Sequence, residues 1–251
     1  MLSGTATVEE FMARAATMAD FATEACALPG AQVLQLMFET AVGGRQTSLP
    51  AGLHPTNPPS MVVQAWHCPE SPWGEFSLAM ARVQCRSGLR PRGFVQGCVV
   101  DNADAAVALG ARWGFPASVG AVALDVGYHD TQLTVELEGP SGAPCVFAGR
   151  ALDPIPLGND DVAFSTTLTL AHTPRGPRLV QVDTDLACDR AERLVACAPV
   201  IDAAGFGLHP SVVVTHPVSA SLSRGTLTLQ PLRYVCRPEE LAFTGTESTS
   251  D

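Results

Sequence analysis

Lysine is absent from this chain. All fifteen basic side chains among its 251 residues are arginines. An imine between a protein and a ketone requires a primary amine, which the guanidinium group of arginine does not supply. The backbone amine of Met1 is the only primary amine in the sequence. Reactions that proceed through a lysine Schiff base are therefore excluded.

Charge and long apolar runs are also scarce. Charged residues make up 16% of the chain, the net charge is −10 and the arginines are scattered, so we expect neither nucleic acid nor an anionic membrane as a partner. No apolar run approaches the ~20 residues of a membrane span. Glu9 and Glu10 precede the first arginine, Arg14, which is unlike a secretory signal. We expect a cytoplasmic protein.

Metal and nucleotide motifs are missing too. The eight cysteines occur singly with no CxxC pair, which is typical of reduced, buried thiols. The six histidines are isolated, without an HxH or HExxH pattern. No glycine stretch follows a strand and opens a helix as a dinucleotide fold requires. We expect no metal and no other cofactor.

The residues that are abundant favour a well-cored β protein. Hydrophobic residues make up 46% of the chain, and 22 glycines and 20 prolines predict many turns. No linker-like stretch or internal repeat divides the sequence. We therefore predict one domain over 1–251, with residues 1–6 and 244–251 frayed.

Two helices are predicted from spacing. Thr7 and Glu10 have the form of a capping box, and apolar residues then recur every three or four positions, which predicts an amphipathic helix over 8–27 with a packing role. A short helix is predicted near 102–112, with Asp101 or Asn102 as its N-cap. Residues 189–200 fit either a third helix or a strand.

Strands are predicted for most of the remainder, from alternating apolar residues between turn signals. The predicted strands are residues 32–40, 61–67, 75–86, 94–100, 121–129, 131–139, 144–152, 162–172, 178–187, 211–223 and 226–235.

Three motifs occur in an order typical of one known family. They are "LPAGLHPTNPPSMVV" (49–63), "SPWGE" (71–75) and "VVDNADAAVALGARWGFP" (99–116). Together they resemble the acetoacetate decarboxylase superfamily, which has an LPxxLxP loop, a GPYxE-like strand start, a VDNDAA segment and a helix ending in WG(F/Y)PKK. The resemblance covers about 31–120. It implies an α+β, β-dominated fold, in which a curved antiparallel, barrel-like sheet surrounds a central cavity, and a homo-oligomer.

The sequence departs from this family where the family's chemistry takes place. The lysine that forms the Schiff base follows the WGFP turn in the family, whereas Ala117 and Ser118 follow it here. The helix before the turn also ends Gly110-Ala111-Arg112-Trp113, one residue short of the family's GRExW and without its glutamate. Imine-forming decarboxylation is therefore excluded even though the turn is present.

Glu75 and His67 are the predicted acid–base residues. The resemblance implies that Glu75, in "SPWGE", points into the cavity, where apolar neighbours would desolvate its carboxylate and let it exchange a proton near neutral pH. His67 ends the preceding strand and could act as a second acid or base. The alternatives are a surface glutamate, or one that pairs with an arginine, and a solvated histidine at a strand end.

Six further residues are predicted to contact substrate. Ser118 could donate a hydrogen bond to a substrate carbonyl, although it lacks an activating base and the GxSxG pattern of a nucleophile. Arg112 could clamp a carboxylate or enolate oxygen, unless it simply lies in solvent. Apolar walls are expected from Trp113 and Phe115, with the core as the alternative for Trp113, and Gln96 and Cys98 share one strand face that could line the cavity.

The predicted function is enzymatic acid–base chemistry without an imine. An apolar cavity would hold an enolisable ketone or polyketide-like substrate for dehydration, isomerisation or cyclisation. Arginine-only basicity and an alanine-, glycine-, proline- and valine-rich composition indicate a GC-rich bacterial genome, which fits specialised metabolism. The alternatives are Schiff-base-independent decarboxylation of a β-keto acid, with Arg112 and Ser118 stabilising the enolate, and non-catalytic binding of a hydrophobic small molecule.

Overall fold

The computed structural model describes residues 2–137, 143–155 and 164–250. Fifteen strands make up most of this part of the chain, as the predicted β-dominated class requires. In chain order they are β1 (Ala16–Thr17), β2 (Cys26–Thr40), β3 (His54–Pro55), β4 (Ser60–Cys68), β5 (Phe76–Ser87), β6 (Arg90–Val100), β7 (Ala117–Val126), β8 (Asp130–Leu137), β9 (Cys145–Ile155), β10 (Thr166–Thr173), β11 (Gly176–Val182), β12 (Thr184–Ala196), β13 (Val214–Leu229), β14 (Tyr234–Cys236) and β15 (Thr246–Ser248).

Nine of these strands close into a barrel. Their order around the barrel is β6-β7-β8-β9-β12-β13-β2-β4-β5, and β5 pairs with β6 to complete the ring. Neighbours are antiparallel except β6 and β7, which are parallel and meet over only three residue pairs. Nearer the start of β6, at residues 92–94, the same edge pairs with β10 instead. Strand β10 then continues into a side sheet with β11, β14 and β15. The barrel wall therefore divides where β6 leaves β7.

Successive side chains of a strand point to opposite faces, which gives the barrel two cores. The inner core receives side chains from all nine barrel strands, so it is the barrel interior. Phe38, Phe147 and Phe206 meet there, with ring centroids 6.2 and 5.7 Å apart. The outer core lies on the other face, where Trp66 and Phe115 meet edge to face. Three aromatic side chains therefore occupy part of the barrel interior.

The described chain has three α-helices, α1 (Glu9–Met12), α2 (Ala103–Trp113) and α3 (Ala242–Gly245), and a 3₁₀ turn at Val42–Gly44. The prediction of α2 is confirmed, with Asn102 as its N-cap. Gly114 ends α2 in the left-handed conformation at φ +73°, which only glycine adopts without strain. With 11 residues, α2 is the longest described helix, short of the ~20 that a bilayer span needs.

The predicted helix over 8–27 is wrong. Only four residues form α1, after which β1 pairs in parallel with β10 and β2 begins at Cys26. The apolar residues do have helical spacing, but they contact different partners: Val8 packs in the inner core and Met18 in the outer core. Pairing with an open strand edge therefore outweighs local helical preference.

Residues 189–200 were compatible with a helix or a strand, and the strand is correct. They fall mostly within β12, which pairs with β9 on one side and β13 on the other. A strand at this position pairs with the edges of both β9 and β13, whose backbone groups a helix would leave without these partners.

The ends predicted to fray are hydrogen-bonded. The Gly4 N–H donates to the Leu53 carbonyl, and the Ala6 N–H donates to the Leu49 carbonyl. At the other end β15 pairs with β14. The side chain of Arg175 donates to the carbonyls of Ser248 and Thr249. Backbone pairing therefore orders both segments despite their polar composition.

Candidate functional site

A cleft opens where β6 leaves β7. It contains two adjoining cavities of about 170 and 90 Å³. Arg14, Gln96, Pro116 and Gly207 border both of them. The floor of the cleft is the barrel wall, and its rim is formed by the segment around α1 and by the loop before β13. The sheet break described above is therefore what creates the cleft.

The Glu10 carboxylate and the His209 ring are hydrogen-bonded at this cleft. The Glu10 Oε2 and His209 Nε2 atoms are 3.2 Å apart. On the other ring nitrogen, the backbone N–H of Ser211 donates to Nδ1 over 3.2 Å, and the Ser211 hydroxyl lies 2.7 Å away. A backbone N–H can only donate, so we assign Nδ1 as an acceptor and the proton to Nε2, which donates to Glu10.

The Glu10 carboxylate is held in its charged form. The backbone N–H and the hydroxyl of Thr7 both donate to Oε1 over 2.9 Å. These bonds, with His209 as the smaller contributor, hold the pKa of Glu10 below its usual value. The predicted capping box is thus half formed, because Glu10 reaches back to Thr7 but α1 has no side-chain cap.

Arg14 supplies the positive charge of the cleft. Its guanidinium borders both cavities, and it makes no hydrogen bond or ion pair with any residue that the structure describes. It passes close to Gly207, where an added Cβ would lie 2.8 Å from Arg14 Nη1. An unpaired arginine beside an ionised glutamate and a neutral histidine can bind an anionic group and leave the carboxylate free to accept a proton.

Three of the predicted contact residues border the cleft, with different roles. Ser118 is exposed to it. Both polar atoms of the Gln96 side-chain amide are hydrogen-bonded. Nε2 donates to the Ser48 carbonyl over 2.6 Å, and Oε1 accepts from the His209 backbone N–H over 3.0 Å. Gln96 therefore positions His209. The Cys98 thiol is buried in the outer core, and burial raises its pKa well above its usual value.

The two residues that replace the family's lysines point to opposite faces of β7. Ala117 pairs with Cys98 and packs against the outer core, whereas Ser118 pairs with Val99 and lies at the cleft. The strand alternation explains this difference. The position that the resemblance assigns to the Schiff base is thus occupied by a methyl group beside Phe115.

Glu75 and His67 are brought together, but outside the cleft. Glu75 Oε1 lies 3.9 Å from His67 Nε2, and His67 Nδ1 lies 3.2 Å from the Ser77 hydroxyl. The Glu75 side chain is 70% exposed. The expectation that Glu75 points into an apolar cavity is therefore wrong, because the "SPWGE" turn projects past the ends of β4 and β5 into solvent.

The remaining predicted residues take their alternative, structural roles. Trp113 and Phe115 are fully buried in the outer core, and the Trp113 indole N–H donates to the Gln230 carbonyl over 3.1 Å. Arg112 is exposed and stacks on the Trp113 ring at 4.9 Å. None of the three borders the cleft. The end of α2 and the turn after it place them on the outer face of the barrel.

Sequence reasoning missed Glu10, Arg14 and His209 as residues of the cleft. The capping-box pattern marked Glu10 as a structural residue only, and Arg14 appeared within the predicted helix. His209 lies 199 positions from Glu10, and no local pattern links them. Their proximity depends on the loop before β13 folding back over α1.

Solved structures supply the comparison, since no protein-family profile matches the chain and no curated protein matches it in sequence. Acetoacetate decarboxylase from Legionella pneumophila superposes with a TM-score of 0.65 at 16% identity, covering 84% of this chain and 86% of that one. The fold is that of acetoacetate decarboxylase.

Two other structures share the acetoacetate decarboxylase fold with this chain. The enduracididine biosynthesis enzyme MppR, complexed with the condensation product of pyruvate and imidazole 4-carboxaldehyde, gives a TM-score of 0.65 at 15% identity, covering 84% of this chain and 89% of MppR. An acetoacetate decarboxylase-like enzyme from Sphingomonas wittichii RW1 gives 0.61 at 15%, covering 83% and 92%. The similarity covers more than four-fifths of this chain, well beyond the segment that carries the motifs.

Proposed function

We propose that this chain is an enzyme that moves protons on a small enolisable carbonyl compound without forming an imine. The observation that carries the proposal is the cleft in which the Glu10–His209 pair lies beside the unpaired guanidinium of Arg14. The known enzymes that share this fold, two of them described as acetoacetate decarboxylase or similar to it, support an enzymatic role. The absence of lysine requires a different chemistry here.

The size of the cleft favours a short substrate. Its cavities of about 170 and 90 Å³ are smaller than the roughly 300–1,000 Å³ of pockets for drug-sized ligands. A keto acid of three to five carbons suits that space better than a folded polyketide chain. MppR, which binds a pyruvate-derived product, is consistent with this substrate class.

The proposed mechanism uses Arg14, Glu10 and His209 in sequence. Arg14 binds the substrate carboxylate or carbonyl oxygen. Glu10 removes the proton from the carbon next to the carbonyl, and the electron pair of the broken C–H bond forms an enolate, which Arg14 stabilises. The Nε2–H of His209 donates a hydrogen bond to the enolate oxygen, and the neutral carboxylic acid of Glu10 gives its proton back to another carbon or to a departing hydroxyl. Return of the proton elsewhere gives isomerisation, and expulsion of a β-hydroxyl as water gives dehydration.

Deuterium exchange tests this proposal directly. We expect the chain to catalyse exchange of the α-protons of pyruvate or 2-oxobutyrate in D₂O, followed by NMR. Glu10→Gln should lower the rate by about 10²–10⁴-fold, since it removes the base. Arg14→Gln should raise KM. Arg112→Gln, another exposed arginine outside the cleft, is the matched control and should leave both constants unchanged. Exchange that survives in Glu10→Gln would reject this mechanism.

Decarboxylation in the same cleft is the second candidate, because Arg14 could also stabilise the enolate that remains when a β-keto acid loses CO₂. This reaction needs no base to remove a carbon-bound proton. CO₂ release from acetoacetate that depends on Arg14, survives Glu10→Gln and resists borohydride would favour it over proton transfer.

A further inference from the structure

A second pocket, of about 440 Å³, lies at the end of the barrel where β12 finishes and β13 begins. It is larger than either cavity of the cleft. Its volume falls within the roughly 300–1,000 Å³ that is typical of small-molecule sites, and the mouth of a β-barrel is a common place for such a site. Of its described lining residues, only Pro210 also borders the cleft. We call it the barrel-end pocket.

The floor of the barrel-end pocket is the end of the inner core. Val212 is buried in that core, and Ile201, Ala203 and Val214 pack against it. All four residues also line the pocket, where the last three are only partly buried. Apolar core surface is therefore left in contact with water at this end of the barrel. Covering it with an apolar molecule is favourable.

The described lining of the barrel-end pocket carries no charge. Thr215 has the only side chain in it that can form a hydrogen bond. Its hydroxyl makes no hydrogen bond with any residue that the structure describes, so it is available to a ligand. An ionised ligand would lose hydration here without an opposite charge to compensate it. The pocket therefore favours a neutral molecule with a mostly apolar surface.

Strand β13 is irregular where it borders the pocket. Its register with β2 shifts between Val214 and His216, so Thr215 is an extra, bulged residue. Bulges at barrel rims redirect side chains. Val213, Val214 and Thr215 all line the pocket, although strict alternation would turn the middle one away. The bulge is therefore what adds a hydroxyl to an otherwise apolar lining.

The wall of the pocket is rich in proline. Three of the ten lining residues are prolines, at positions 199, 210 and 217. The proline ring fixes the backbone angle φ, so this wall has little conformational freedom to lose when a ligand binds. A pocket that is already shaped before binding favours affinity for a small molecule.

We propose that the barrel-end pocket binds a neutral, largely apolar small molecule with one hydrogen-bonding group, such as a medium-chain alcohol or ketone. A cavity of about 150 Å³ holds benzene, so the pocket has room for roughly fifteen carbon atoms at most. The polar group of the ligand bonds to the Thr215 hydroxyl, and its carbon chain covers the core surface at Ile201 and Val214. The proposal does not depend on the chemistry of the cleft.

Fluorescence titration of the full-length chain tests the class of ligand. N-phenyl-1-naphthylamine, a neutral apolar probe, should bind saturably at one molecule per chain and be displaced by 1-decanol. Decanoate has the same chain length but is ionised at pH 8, so it should displace the probe at least about tenfold less effectively. Displacement by decanoate as strong as that by 1-decanol would overturn the assignment.

Two exposed valines supply a matched pair of variants. Val213 borders the pocket and is 54% exposed, whereas Val195 is 50% exposed and lies outside it. Val213→Glu places a carboxylate in the apolar wall, so we expect it to weaken probe and 1-decanol binding by about tenfold or more. Val195→Glu should bind both as the wild type does. Equal binding by the two variants would reject the site.

Thr215→Val tests the polar contact and remains informative if Val213→Glu does not fold. It keeps the shape of the side chain without the hydroxyl. We expect the affinity for 1-decanol to fall by about three- to tenfold, which corresponds to the loss of one neutral hydrogen bond. Unchanged affinity would contradict the contact assigned to Thr215.

The remaining outcomes identify a different occupant. Arg14→Gln, which alters only the cleft, should leave probe binding unchanged. If binding depends on Arg14 and not on Val213, the probe occupies the cleft and the proposal fails. Sedimentation of the same variants tests a second copy of the chain as the occupant. If Val213→Glu dissociates an oligomer and the wild type binds no probe, another chain covers the pocket and the proposal also fails.

Discussion

Glu10 combines a structural and a proposed catalytic role in one carboxylate. Oε1 accepts two bonds from Thr7, and Oε2 faces His209. Both contacts favour the charged form, so Glu10 is ionised at neutral pH. The same bonds that hold α1 in place therefore also prepare the base.

The lowered pKa of Glu10 predicts a pH-dependent contribution to stability. Because the folded-state pKa is lower than the unfolded one, the contribution is present above the unfolded value and is lost as pH falls through the folded value. Thermal unfolding of Glu10→Gln and the wild type should therefore differ at about pH 6, and the difference should shrink as the pH falls below about 4. The neighbouring Glu9→Gln is the control and should follow the wild type throughout. A gap that widens toward acid would contradict the assignment.

At the scale of elements, α2 and the "SPWGE" turn form one unit. The Asn102 side chain caps α2 by accepting from the Ala105 N–H over 3.0 Å. Its Nδ2 donates to the carbonyls of Trp73 and Glu75 over 3.1 and 3.0 Å. The residue that begins the helix therefore also fixes the turn, although Glu75 and Asn102 are 27 positions apart in the chain.

Two substitutions of Asn102 separate these contributions. Asn102→Ala removes the cap and both turn bonds, and should lower the free energy of unfolding by about 2–3 kcal/mol. Asn102→Ser keeps a capping oxygen but not the amide donors, so it should recover only about 1 kcal/mol. Urea unfolding measures both values. Full recovery with serine would mean that the bonds to the turn contribute nothing.

The two chain ends show how element-level reasoning can fail. Their polar sequences predicted fraying, yet β15 is fixed by Glu247, which accepts from Arg178 and Arg237. Those bonds hold the pKa of Glu247 below its usual value. Arg178 lies on β11 and Arg237 directly follows β14, and composition alone does not reveal these contacts.

At the scale of the molecule, the loop between β12 and β13 enters the barrel. Phe206 packs in the inner core, and its carbonyl lies against Gly97 on β6. The same loop carries His209 to the cleft. Filling of the barrel interior and assembly of the proposed active site therefore depend on one segment.

Gly97→Ala should disrupt this arrangement. An added Cβ would overlap the Phe206 carbonyl oxygen, which belongs to backbone and cannot rotate away. We expect a loss of more than about 3 kcal/mol in the free energy of unfolding, or failure to fold. Gly43→Ala is the matched control, because nothing lies within 4 Å of its added Cβ, and it should stay within about 0.5 kcal/mol of the wild type. Equal stability of the two variants would show that the loop yields readily.

Strand prediction succeeded where the alternation of apolar and polar residues was strong. The helix predicted over 8–27 failed because its apolar residues pack in two different cores. Each predicted strand overlaps an observed one, although residues 178–187 divide between β11 and β12. The motifs identified the family fold, yet the site residues taken from them divided between the cleft, the core and solvent. A motif preserves the spacing along the chain, but the partner that each side chain meets depends on strand register and on which face it occupies.

The sequence by itself determined the β-rich class, the α2 helix with its cap, and the impossibility of lysine chemistry, because propensity, capping and composition act locally or do not depend on folding at all. The tertiary structure alone decided that Glu10, Arg14 and His209 border one cavity, that Glu75 is exposed, and that buried Arg82 has only neutral hydrogen-bond partners in the described chain. Contacts between residues far apart in sequence depend on closure of the barrel. The partners of a charged side chain matter most for stability when the fold has removed that side chain from water.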